Sequence, residues 1–234
     1  MQDQTGNTTG DGNDTVEFEA EVSSAVGAGD DVQELVKRLT LRAISAHSLD
    51  SASLGLIIRA VLRGARAGAQ QELHQSAAQI EITRGRLTQA VAGLDAALAQ
   101  FVAASTLALK EAAGRARQFS HEDLTRAYTD LGALEALFLD SLQRSASSGK
   151  DVAEEILADL AAHARIHGSA VGAQLKEALV VVGKQGYEAG RTQAGAGLHL
   201  AEATSDLLRQ ITAGVLSGLA DRVKPSHRPA SESD

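Results

Sequence analysis

Glu155, Asp159, His163 and His167 stand four residues apart from one another. On a helix that spacing stacks the four side chains in a ladder down one face. Two imidazoles at i and i+4 can chelate a transition metal, and Asp159 one turn earlier could supply a third ligand. A helix that buries Val152, Ile156 and Leu160 on its other side shows the same ladder simply as its solvated face. His163, His167 and Asp159 are therefore the metal candidates, and the sequence points to no cofactor. None of the seven histidines has a Glu three positions before it, so the Glu-x-x-His pattern of a di-metal bundle is missing.

Other chemical patterns fail on inspection. Gly149-Lys150 and Gly183-Lys184 lack the glycine spacing of a phosphate loop, and no G-x-S-x-G elbow occurs. With no Cys, disulfides and thiolate metal sites are excluded. A net charge of −8 opposes a general nucleic-acid role, because phosphate binding needs surplus Lys and Arg. Arg59, Arg63 and Arg66 form a basic stripe that should pair with acids of a neighbouring helix. Aromatic residues make up only 3%, which leaves few anchors for a small ligand and predicts no deep pocket. The chain is expected not to be an enzyme.

The elements that must carry these residues are helices. From residue 31 onward Ala, Leu, Gln, Glu and Arg dominate, all good helix formers, and the two prolines fall at 225 and 229. Residues 1–29 read as an acidic disordered tail. Within it Val16, Phe18, Ala20 and Val22 alternate with glutamates, the period of a strand or of a short peptide docked on the bundle. A first helix is expected from Asp30-Asp31, with Val32, Leu35, Val36, Leu39 and Ile44 on its inner side. A break follows near 48–53. The next helix carries Ala60, Gly64 and Gly68 in one file, small enough for a partner helix to come close.

The firmest periodicity runs from Leu73 through Ile80, Leu87, Leu94 and Phe101, one residue in every seven. Ala77, Arg84, Val91 and Leu98 fill the alternate positions, giving an a/d heptad and a left-handed seam. Ser120 marks a helix start, followed by Leu124, Leu131, Leu134, Phe138 and Leu142. Ser148 or Asp151 caps the next helix, whose buried face carries Val152, Ile156, Leu160, Ala164 and Val171. Leu200, Leu207, Ile211, Val215 and Leu219 define a last helix, stopped by Pro225. The expected architecture is all-α: long amphipathic helices in an antiparallel bundle or coiled coil over 30–224, with disordered tails at 1–29 and 225–234.

No run approaches the ~20 apolar residues of a membrane span, and no signal peptide is legible, so a cytoplasmic location is expected. The Ala-rich heptad region 73–119, with its run QSAAQIEITRGRLTQAVAGLDAALAQFVAAS, the lack of Cys and Trp and the Pro/Ala/Ser tail resemble bacterial phasins. That resemblance implies amphipathic helices coating polyhydroxyalkanoate granules. Two roles follow: a self-associating helical scaffold, joined to itself or to another helical protein through its heptad seams, or a coat on a hydrophobic granule or lipid surface.

Overall fold

The computed structural model describes residues 9–46, 51–73, 80–114, 129–147 and 151–178. Every regular element among them is helical. In chain order they are α1 (Thr9–Ala28), α2 (Val32–Ala46), α3 (Ser51–Leu73), α4 (Ile80–Gly114), α5 (Leu134–Ala146) and α6 (Val152–His167). Residues 170–178 are helical again beyond a break at Gly168, whose φ of 87° only glycine adopts without strain.

Consecutive helices run antiparallel. Arg165 of α6 donates to Gln143 of α5 at 3.1 Å, while Ser169, further along, donates to Glu135 at 3.1 Å. Helices one step further apart run parallel. Glu19 and Ser23 of α1 lie against Gly64 and Gly68 of α3, and Gln33 of α2 lies against Gly93 of α4. α1 rests chiefly on α3, and α2 on α4, with α5 and α6 closing the bundle. One core joins Val22 and Val26 of α1 to Ile58 and Leu62 of α3, Leu94 and Leu98 of α4, Phe138 of α5 and Leu157 of α6.

The all-α expectation holds, with two corrections of detail. Residues 9–28 form helix α1 where a tail was expected, and the alternating Val16–Val22 stretch is part of it. On that helix Phe18, Val22, Ala25 and Val26 fall at i, i+4, i+7 and i+8, and the last three are buried. Helical burial against α3 overrides the period-2 pattern. Of the heptad, Leu73 is the last described residue of α3 and Ile80 the first of α4, and residues 74–79 between them lie outside the described residues. Finally, Ile80–Glu111 is long and apolar enough to cross a membrane, although most of it is buried in the fold as a core helix would be. Polar residues such as Asp95 and Gln100 interrupt its apolar runs, so no unbroken stretch marks it in the sequence. Ala77, Ser120, the tail 225–234 and the helix expected around Leu200–Leu219 lie outside the described residues.

Candidate functional site

The seam residues turn inward. Leu87, Leu94 and Leu98 are fully buried, Val91 and Phe101 nearly so, and Ile80 is half-buried at the helix start. Their partners are helices of the same chain. Arg84, the misfit in the heptad, sends its guanidinium to Asp159 on α6 at 3.1 Å. Asp159 thus has an arginine partner on a neighbouring helix. His163 and His167 are both exposed, with ring centroids 4.3 Å apart. Among the described residues no group of three or more His, Cys, Asp or Glu side chains could hold a metal ion.

Two arginines of the basic stripe, Arg63 and Arg66, pair as expected. Arg63 meets Glu19 at 2.8 Å, and Arg66 meets Asp151 at 3.1 Å. Arg66 also makes an ion pair with Glu154, which is only 2% exposed. The contact is one of charge: neither Glu154 oxygen, nor Arg66 Nε, has an aligned hydrogen-bond partner. Asp151 is the N-cap of α6, accepting the Glu154 N–H at 2.9 Å, and Gln70 and Arg66 donate to its other oxygen. Burial pushes its carboxyl up, but the hydrogen bonds from Glu154 N–H, Gln70 and Arg66 together outweigh that and hold it below the usual value of 3.8.

A second carboxylate works at long range. Asp95 of α4 accepts the N–H groups of Ala170 at 2.7 Å and Val171 at 2.9 Å, capping the helical stretch that follows α6. Ser169 caps the same turn by accepting the Gly172 N–H at 3.0 Å. Glu135 of α5 accepts the Ser169 hydroxyl, and its carboxylate lies where a side chain on Gly172 would have to go. Burial raises the Asp95 carboxyl above 3.8; the Val171 and Ala170 N–H groups pull it down, and the negative charge of Glu135 adds to the rise. These buried and half-buried ionisable groups thus tie helix ends to neighbouring helices. Sequence reading offered Ser148 or Asp151 as the cap, of which Asp151 fills the role, but missed Asp95, which no local spacing connects to residue 170.

α4 also has an outward face. Ile82 and Leu107 are 54% and 58% exposed, and they stand almost seven full turns apart at ~3.6 residues per turn, on the same side of the helix. Between them Gly85, Gln89, Ala92, Ala96, Ala99 and Ala103 recur at alternating spacings of three and four. None of these six is buried. This is a second heptad stripe, narrow and alanine-rich, offset from the seam that faces the core.

Fold and side chains together define an all-α bundle whose polar groups join helices. The chain belongs to a protein family of unknown function, DUF6781, matched over residues 8–225. No curated protein and no solved structure matches it.

Proposed function

We propose that this chain is a non-catalytic helical interaction protein that associates with a second copy of itself through the outward stripe of α4. The observation that carries the reading is the stripe from Ile82 to Leu107: mostly apolar or small side chains, at heptad spacing as far as Ala103 and none of them buried, on a helix whose other seam is already filled. Alanine at such positions lets two helices approach closely. The proposed setting is the cytoplasm, with no cofactor and no nucleic acid; another helical protein with a matching stripe would compete for the same face. Light scattering on the full chain tests it. A mass above 24.3 kDa that falls to the monomer value in Ala99→Glu and Leu107→Glu supports the proposal, and a monomer at all concentrations overturns it.

The apolar length of α4 favours one second reading, a phasin-like coat. In that reading the bundle opens and lays α4 on a hydrophobic granule or lipid surface. Flotation with vesicles or polymer granules separates the two. A coat partitions with the particle and changes its helicity on doing so, whereas a self-associating scaffold stays in solution.

A further inference from the structure

The seat of α1 on α3 fits one helix closely. A Cβ on Gly64 would lie 2.5 Å from the Glu19 carbonyl oxygen and 2.9 Å from Val22 Cβ. One on Gly68 would collide with the Ser23 carbonyl oxygen. Backbone therefore meets backbone, and the identity of the incoming helix matters. α1 rests on this seat more extensively than on any other helix. It buries Val22, Ala25 and Val26 with Phe18 half-covered, and its ion pairs, Glu19 with Arg63 and Glu21 with Arg42, lie at the surface.

The joint to α2 is short and unusual. Only Gly29, Asp30 and Asp31 separate the two helices, and both Gly29 (φ 81°) and Asp31 (φ 47°) are left-handed. Asp31 carries a side chain, and Asp tolerates this conformation better than most residues, at a residual cost. The end of α1 is fastened by Arg86, whose Nη1 donates to the Gly27 carbonyl at 2.9 Å and whose guanidinium covers Gly29. If the joint straightened, the Gly27 carbonyl would instead accept the N–H of residue 31, as in any helix. α1 and α2 would then be continuous.

We infer that α1 is an exchangeable strap: in a dimer, the α1 of each copy occupies the Gly64/Gly68 seat on α3 of the other. Short joints under strain invite such exchange, because every contact outside the joint is re-formed between copies while the strained turn is released. The inference rests on the self-association proposed above but uses a different surface.

The chain has no cysteine of its own, so two single-cysteine versions of the full chain give a clean test. Glu19→Cys and Arg63→Cys copies are unfolded together, refolded and treated with a short bis-maleimide. Exchange predicts an inter-chain product between the two versions and none within either alone. Gly29→Ala penalises the left-handed turn and favours a continuous helix, so it should raise that product at least fivefold. Arg86→Ala, which unties the closed joint, should raise it as well. A dimer by light scattering without the inter-chain product overturns the exchange and leaves the α4 stripe as the means of association. Monomers for the parent chain and for both joint variants overturn both.

Discussion

The carboxylate of Asp95 accepts the backbone N–H of Val171 at 2.9 Å, across 76 residues of sequence. A cap supplied by a distant helix does two jobs: it satisfies free N–H groups and fixes where the capped helix sits. Because burial raises the Asp95 carboxyl, with Glu135 adding to the rise, the folded chain holds a proton there more readily than the unfolded chain does. That contribution to stability is full below 3.8 and is lost as pH rises through the raised value. Asp95→Asn removes it. Thermal melts of the two proteins at pH 7 and near pH 4 should show the parent gaining on the variant at the lower pH. A gap that stays constant, or widens towards neutral pH, contradicts the assignment.

Asp151 behaves with the opposite sign. Its carboxyl is lowered, so its contribution is present above 3.8 and fades as pH falls through the folded value below that. Asp151→Ala should cost about 1–2 kcal/mol at pH 7, as loss of an N-cap does, and progressively less in acid. Denaturant midpoints at pH 7 and near pH 3 measure the difference.

The glycines of the bundle divide by what faces them. Gly64→Ala drives a methyl into a backbone oxygen that no rotamer change can move, and should destabilise by about 1–3 kcal/mol. Gly85→Ala, with nothing within 4 Å of the new methyl, should instead stabilise by about 0.5–1 kcal/mol through helix propensity. Equal effects at the two positions in urea titrations would mean that the α1 seat is not tight.

Leu94 and Leu107 distinguish the two stripes of α4. Leu94 is wholly buried, and Leu94→Ala should cost about 2–5 kcal/mol. Leu107→Ala should stay within about 0.5 kcal/mol in the isolated chain. If the second loss matched the first, the outward face would be core.

Helices whose burial follows local periodicity were legible from the residues. Val32, Val36 and Ile44 mark α2, and Phe138 and Leu142 mark α5, and all five are buried. The cap at Asp151 was equally local. The small file Gly64 and Gly68 announced a close neighbour, although nothing local named α1 as that neighbour. α1 was obscured because Gly, Asn, Thr and Asp crowd its first turns, and because Val16, exposed in the fold, completes an accidental alternation with Phe18 and Val22. Asp95 could not be found at all: its partners come from a helix 75 residues downstream, and their proximity is a product of the whole packing.

That α1 lies alongside α3 has a consequence for the order in which the molecule is made. α1 leaves the ribosome before α3, and the groove that receives Ser23 is finished only by Gly68, which is 68 − 23 = 45 residues later. At ~5–20 residues per second, roughly 2–9 s of synthesis pass before α1 meets its place. During that interval Val22 and Val26 have no cover from their own chain, and neighbouring nascent chains on the same message carry the same unsatisfied helix.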